Sequence, residues 1–548
     1  MSMIKINARA REAALAARDA HVGKPTSLVS YQSTGLVVVV ASPEQWQALP
    51  ALPQPLRAIG LLDVTPTQLA GITVVGSAVA RGGRDIELIG HLGAFELLLS
   101  DRDGTQEVLR ADIVLDLGEQ ALNSHELPPV GYLRADPVKH DLNELVVELS
   151  EMTGEFEKPR YFNYNADICA HGVNGGSVCT RCIDACPAGA IHSGGAHIEV
   201  DPFLCQGGGV CATVCPSGAI QYAYPRLTDQ GNRLRVMLKA HAEQGGQLPI
   251  LLLHADSVDV SAYFERQPNL LPVAVEEIAS VGMDLCLSAL VYGAAQLYLL
   301  VDDDAPPSAA RQLAQQLEWG HAVMHGLGLA PERLQLLQLG EFLQPIPDGV
   351  GIEPALYSMP DNKRQALLQA VDHLYQHAPR KREMVDLPAG APFGTAVIDE
   401  KACTLCMACV GACPGKALQD GSNRETPEIF FIESNCLQCG ACTLTCPETA
   451  ISISPRLVFD REKRNQSRML NQDTPFACIS CGKPFAPTSV IHKMSFKLKG
   501  HHMFQTARAL DRLKMCENCR VADIVQDAEA MDGHFDPLEP IARDFTRQ

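Results

Sequence analysis

Residues 403–447 read Cys403-Thr404-Leu405-Cys406-Met407-Ala408-Cys409-Val410-Gly411-Ala412-Cys413-Pro414 and, after 21 further residues, Cys436-Leu437-Gln438-Cys439-Gly440-Ala441-Cys442-Thr443-Leu444-Thr445-Cys446-Pro447. The pattern C-x2-C-x2-C-x3-C-P is written twice. Three thiolates two residues apart on one tight loop cap three irons of a cubane, and the fourth, at the start of the next helix, points away toward a second cluster. The spacing therefore predicts one [4Fe–4S] cluster on Cys403, Cys406, Cys409 and Cys446, and another on Cys436, Cys439, Cys442 and Cys413. Each proline turns the chain out of the loop and removes an amide donor. Eight buried cysteines, or a disulfide framework, need neither the repeated spacing nor proline at the same place.

A second stretch carries the pattern with two departures. It reads Cys169, then Cys179-Thr180-Arg181-Cys182, Cys186-Pro187, then Cys205-Gln206-Gly207-Gly208-Gly209-Val210-Cys211 and Cys215-Pro216. Nine residues separate the first two cysteines, including a glycine-rich run at 172–177, and Gly208 stands where the second cysteine of the second motif belongs. Crossed ligation gives Cys169, Cys179, Cys182 and Cys215 a complete set, a third [4Fe–4S] cluster. Cys205, Cys211 and Cys186 offer three thiolates for four irons. That centre is expected to be [3Fe–4S], or [4Fe–4S] with one labile iron held by solvent or by a side chain such as His171.

A third group, Cys478-Ile479-Ser480-Cys481 and Cys516-Glu517-Asn518-Cys519, is separated by 34 residues. Two such knuckles close a tetrahedral S4 site, the geometry Zn2+ prefers, with rubredoxin-like iron or a further cluster as the alternatives. Four thiolates leave no vacancy for His501 or His502. Of the 20 cysteines only Cys286 lies outside these groups, mid-helix between leucines, where a packing role is expected.

Thiolates used this way fit a reducing compartment. Residues 1–20 have no apolar core of the secretory kind, and no apolar run approaches membrane-spanning length. A cytoplasmic protein without membrane insertion is expected. A formal charge of −19 disfavours nucleic acid, whose phosphates need a basic face. The segment 485–512 is basic (Lys493, Lys497, Lys499, Arg508, Arg512), either as a plain basic surface helix or as a surface for an acidic partner.

At roughly one domain per 150 residues, the chain holds about three or four domains. The reading is multidomain α+β and α/β. Residues 1–159 form an N-terminal helix (8–21) followed by a β-rich domain. Its strands fall at 35–42, 56–64, 71–79, 85–89, 95–99 and 113–117, with turns at Gly82-Gly83 and Asp103-Gly104. No phosphate-binding glycine loop is present there. A helix spans 141–152. Residues 160–225 are the first cluster module and 226–378 a small parallel-sheet α/β domain. In the latter, strands at 250–254, 273–277, 296–301 and 334–339 alternate with helices at 284–292 and 308–326, the second capped by Ser308 and ended by Gly326 or Gly328. A helix at 361–376 follows, then a linker at 379–395, the second cluster module at 396–456 and a zinc-ribbon-like knuckle pair at 457–548.

Residues 396–454 resemble bacterial two-cluster ferredoxins, and the first module resembles them with the departures given. The 226–378 region resembles in pattern the delta subunit of methyl-viologen-reducing hydrogenases, without that family's cysteine ligands. Together with the entry segment Glu155-Phe156-Glu157-Lys158-Pro159-Arg160-Tyr161-Phe162-Asn163-Tyr164, the cluster stretches and knuckles resemble large cytoplasmic 4Fe-4S dicluster proteins encoded beside bacterial formate dehydrogenases. The resemblance implies an electron-transfer protein serving a formate dehydrogenase-like molybdenum or tungsten enzyme, or an accessory or maturation factor for it. No nucleophile–base constellation, cofactor loop or open zinc site points to an enzyme in its own right, so the catalytic residues are none.

Overall fold

The computed structural model describes residues 2–21, 23–70, 77–136, 139–173, 176–264, 267–302, 305–347, 351–421 and 426–527. The chain divides into two units, residues 1–393 with 455–461, and residues 394–454 with the remainder from 462.

In the first unit the region expected to be β-rich is strand-rich, and at its centre is a five-stranded, wholly parallel sheet in the order Ser77–Ala80, Arg57–Leu62, Leu36–Ala41, Ile113–Asp116, Tyr132–Arg134. Four consecutive valines mark a central strand buried on both faces, which is where parallel strands occur. Val37 and Val39 pack under helix Leu142–Glu151 and Trp46. Val38 and Val40 pack against a three-stranded antiparallel sheet, Asp85–Ile89, Phe95–Ser100 and Gln106–Ala111. Asp103-Gly104 makes the hairpin turn within that second sheet, with Gly104 at φ 86°. Gly82-Gly83 instead joins two different sheets. Of the strand expected at 71–79, residues 71–76 lie outside the described residues.

The strand order places a topological switch between Leu36–Ala41 and Ile113–Asp116, where open α/β sheets usually bind ligands. Here the position is filled. Gln45 donates its side-chain amide to the Leu117 carbonyl at 3.1 Å. Asp116 accepts from Gly118 N, Leu122 N and Tyr132 Oη at 2.9, 2.9 and 2.6 Å.

The sheet of the 226–378 region is parallel as expected, in the order Leu270–Val275, Ile250–Ala255, Gln296–Val301, Leu334–Gln338. Helices Leu227–Glu243, Met283–Val291, Pro307–Leu327 and Lys363–His377 belong to its core, in which Cys286 is fully buried. Pro307–Leu327 is preceded by Pro306 rather than capped by Ser308, and ends at Gly328 in the left-handed region. The first helix, Met3–Asp19, packs on Leu227–Glu243 and ties to this four-stranded parallel sheet rather than to the five-stranded one, with Arg18 Nη1 donating to Pro272 O at 2.9 Å. Of the stretch read as a linker, 379–395, residues 385–393 join this core. Met384–Asp386 pairs with the end of strand Ile451–Val458, and Leu387, Ala391 and Phe393 are buried in it. Pro/Gly composition marks a chain that cannot form a helix, but three apolar residues among those breakers still seek burial.

Between the sheets in sequence, the first cluster module pairs Phe162–Tyr164 with Ile220–Tyr222 and carries the hairpin Ile191–Ser193/Ile198–Val200. Short helices Arg181–Asp184 and Val210–Val214 follow its two cysteine loops.

In the second unit, Leu418–Asp420, Glu428–Ile432 and Ser467–Gln472 form an antiparallel sheet beside short helices Ala408–Gly411 and Ala441–Thr445. A hairpin, Pro475–Ala477/Pro484–Pro487, presents Cys478 and Cys481 at its turn, and Cys516 caps helix Glu517–Val525. The charges of the basic segment 485–512 are mostly paired within the second unit. Lys493 and Lys497 pair with Glu448 at 2.6 and 3.4 Å. Arg508 and Arg512 pair with Asp523 and Asp527.

Candidate iron–sulfur and metal centres

Closing three cysteines around one point requires the backbone to curl, and it does so through left-handed residues on either side of the middle cysteine. Leu405 and Met407 have φ 52° and 61° around Cys406, and Gln438 and Gly440 have φ 51° and 83° around Cys439. Gly207 and Gly209, at φ 80° and 71°, repeat this around Gly208. The loop at Gly208 thus keeps the shape of a cysteine loop and lacks only the thiol.

The structure brings the cysteines together in the crossed sets that spacing predicts. Cys403, Cys406, Cys409 and Cys446 line one small cavity. Cys169, Cys179, Cys182 and Cys215 line another. Cys442 faces Cys436, Cys439 and Cys413, and Cys211 faces Cys205 and Cys186. Burial, then the neighbouring thiolates, pushes the thiols of Cys182, Cys409 and Cys442 up to about 12. Cys205, Cys211 and Cys439 are raised for the same first reason. Buried thiolates converging on a point need positive charge there, and the irons of a cluster supply it. Donors already aim at the sulfurs. Leu405 N, Ala417 N and Ala450 N lie 3.4, 3.2 and 3.3 Å from the Sγ atoms of Cys403, Cys413 and Cys446, and Gln438 Nε2 lies 3.3 Å from that of Cys436. The donor sets fit iron–sulfur clusters.

His171 does not complete the three-thiolate set. It lines the cavity of Cys169, Cys179, Cys182 and Cys215, and its ring nitrogens engage Cys179 O at 2.9 Å and Ser193 Oγ at 2.7 Å. At Gly208, an added Cβ would lie 3.1 Å from Pro187 Cγ and 3.3 Å from Leu127 Cδ1. The segment bearing Leu127 is fastened over the loop. Leu127 N donates to Pro187 O at 3.0 Å, and Gln206 Nε2 donates to the carbonyls of Leu127 and Pro128. This cover comes from a part of the chain that no cysteine spacing marks.

Two lysines were also invisible to motif reading. Lys158 Nζ donates to Phe203 O and Cys205 O at 2.8 and 2.7 Å, and burial lowers its pKa to about 8. Lys363 Nζ donates to Ala212 O, Thr213 O and Cys215 O at 2.7, 2.6 and 3.3 Å, closing the carbonyl end of helix Val210–Val214. Each sets a cation beside a cysteine loop, a placement that tunes a cluster's potential. A lysine 47 positions before or 148 after the cysteine whose carbonyl it meets has no sequence signature; only Lys158, inside the entry segment 155–164, lay near one.

The C-terminal thiols of Cys478, Cys481, Cys516 and Cys519 all lie within 4.8 Å of one another. Burial raises the Cys478 thiol, but amide donors from Cys516, Cys481 and Ser480 outweigh it and bring it to about 6. Four converging thiols with one held as thiolate fit a closed S4 metal site.

Two family models match the chain: a 4Fe-4S dicluster domain over residues 402–451 and a 4Fe-4S binding domain over residues 198–221. No curated protein matches it. The chain therefore contains ferredoxin-type 4Fe-4S binding domains within a mixed α/β multidomain architecture that also carries a C-terminal four-cysteine cluster. Among the described residues, no helix is long and apolar enough to cross a membrane.

Proposed function

We propose that this protein transfers single electrons through several iron–sulfur clusters to or from a redox enzyme. The observation that carries the reading is the crossed convergence of two cysteine quartets within the matched dicluster segment. Cys403, Cys406, Cys409 and Cys446 hold one [4Fe–4S] cluster, and Cys436, Cys439, Cys442 and Cys413 a second. Cys169, Cys179, Cys182 and Cys215 hold a third. Such clusters take up and release one electron at a time at potentials set by charge, hydrogen bonds and burial, which is the part the flanking amides, Lys158 and Lys363 play. Cys205, Cys211 and Cys186 hold a three-thiolate centre of [3Fe–4S] type, a reading supported by Gly208 and its apolar cover. Zn2+ is the proposed occupant of the C-terminal quartet.

The proposed partner is a cytoplasmic enzyme of the formate dehydrogenase kind. The resemblance of residues 155–225, the dicluster segment and the knuckles to proteins encoded beside such enzymes supports this. The test is to reduce the purified protein anaerobically and mix it with a candidate enzyme. Re-oxidation of the clusters within the enzyme's turnover time is expected. Clusters that stay reduced, in a cell whose enzyme nonetheless needs this protein to become active, would replace electron transfer with an accessory role.

A further inference from the structure

The four corners at which a cysteine is followed by proline share one backbone turn. The residue three places after the cysteine is left-handed each time: Gly189, Gly218, Lys416 and Thr449 have φ 60°, 75°, 52° and 50°. At two corners this turn aims the next amide back at the sulfur. Ala417 N lies 3.2 Å from Cys413 Sγ, and Ala450 N lies 3.3 Å from Cys446 Sγ. At Cys215 the equivalent amide meets a side chain instead. Ala219 N donates to Ser217 Oγ at 3.2 Å, and Ser217 Oγ lies 3.6 Å from Cys215 Sγ. The residue at the place of Ser217 is Gly415 after Cys413 and Glu448 after Cys446, so neither of those corners offers a hydroxyl there.

The serine is thus interposed between amide and sulfur. A sulfur that ligates iron carries no hydrogen, so the hydroxyl is the donor in the Ser217–Cys215 pair. Its oxygen already accepts from Ala219 N, which leaves the hydroxyl hydrogen for the sulfur and polarises it, because chained hydrogen bonds strengthen one another. Ser217 is 7 % and Cys215 9 % exposed, so water competes little for this bond. Ser217 also lines the cavity shared by Cys169, Cys179, Cys182 and Cys215. A donor on a ligand sulfur favours the reduced, more negative cluster over the oxidised one.

We propose that Ser217 tunes the third [4Fe–4S] cluster: its hydroxyl, oriented by Ala219 N, relays that amide's hydrogen bond to Cys215 Sγ and holds the reduction potential above the value a direct amide bond would give. The inference rests on the assignment of that cluster to Cys169, Cys179, Cys182 and Cys215, and it requires no partner enzyme.

Redox titration of the full-length, cluster-loaded protein, read by low-temperature EPR, tests this, with iron content measured on every variant. Ser217→Ala is expected to disfavour reduction of one [4Fe–4S] centre about three- to tenfold, which lowers its midpoint by about 28–59 mV at 59 mV per tenfold. Ser217→Thr, which keeps the hydroxyl, is expected to stay within about 1.5-fold of wild type, about 10 mV. The converse change is Glu448→Ser, which sets a hydroxyl at the matching place after Cys446. Its control is Glu448→Ala, since both variants lose the carboxylate that pairs with Lys493 and Lys497 and only serine adds a donor. The serine variant is expected to favour reduction of its cluster about threefold over the alanine variant. A midpoint unmoved in an iron-replete Ser217→Ala protein, or moved as far in Ser217→Thr, would overturn the proposal. Where Ser217→Ala loses iron, the Glu448 pair decides, and equal midpoints there overturn it. A wild type without a third [4Fe–4S] signal would instead refute the cluster assignment, and the role of Ser217 with it.

Discussion

Replacing Lys363 by methionine removes a cation from beside a cluster while leaving the side-chain length unchanged. Lys363 Nζ lies 3.3 Å from Cys215 O and also touches Ala212 O and Thr213 O. Taking about 6–8 Å from the ammonium to the reducible core and an effective dielectric of about 20, the charge favours the added electron by about 2–3 kcal/mol. For a one-electron couple that is about 90–120 mV, at 59 mV per tenfold. Lys363 is only partly buried, and solvent screening brings the expected shift to about 50–100 mV. The sign is fixed: reduction adds negative charge, so losing the cation lowers the potential. Lys363→Met also removes three hydrogen bonds to the end of helix Val210–Val214, so Lys363→Arg is the partner variant, keeping charge and donors. The assay is a redox titration followed by low-temperature EPR, reading each centre by its own signal. One centre should move down by that amount in Lys363→Met and stay within about 20 mV of wild type in Lys363→Arg. Equal shifts in both variants would mean that helix geometry, not charge, sets the potential. No shift in either would remove Lys363 from any tuning role.

Other consequences can be checked directly. Oxidised wild-type protein should show a [3Fe–4S] EPR signal from the Cys186/Cys205/Cys211 centre. Gly208→Cys combined with Leu127→Ala, which clears the cover at 3.3 Å, should convert it to a [4Fe–4S] signal, and Gly208→Cys alone should do so less completely. A stable [4Fe–4S] centre in wild type would show that another residue fills the corner. Cys413→Ser should damage the cluster of Cys436, Cys439 and Cys442 and spare the one held by Cys403, Cys406 and Cys409; the opposite result would refute crossed ligation. Metal analysis should find about one zinc per chain, lost in Cys516→Ser without change in the cluster spectra. Asp523 is held below the usual carboxylate range by Arg508 and then Arg512. A depressed pKa stabilises the fold above the unfolded value, about 3.9, and that contribution is lost as pH falls through the folded value. Asp523→Asn should therefore lower the stability of helix Glu517–Val525 at neutral pH but not in acid, as read by hydrogen exchange.

The cysteine sets were legible because ligand spacing is local chemistry. Three thiols on a seven-residue loop can close on one point whatever surrounds them, and C-x3-C-P sends the fourth across to the other loop. The strands of the 226–378 region were legible for a similar reason: short apolar runs between helical stretches have few other ways to be buried. The N-terminal sheet was harder. Residues 36–41 announce a strand buried on both faces, but whether its neighbours run parallel depends on crossings that no six-residue pattern encodes. Residues 379–395 show the same limit from the other side, since breakers in the sequence say that a helix stops and not that Leu387, Ala391 and Phe393 enter a core.

The inventory is written in the order of residues: which thiols exist, which position lacks one, and where short elements begin. What faces them is set by packing. Leu127 over Gly208, His171 at the complete quartet instead of the incomplete one, Lys158 and Lys363 at the loop carbonyls, and the Glu448 and Asp523 pairs that quench the basic segment all join residues far apart in the chain. Metal ligation is strong and directional enough to be written into spacing. Burial, capping and charge pairing act through space, so their partners are set by how the chain packs.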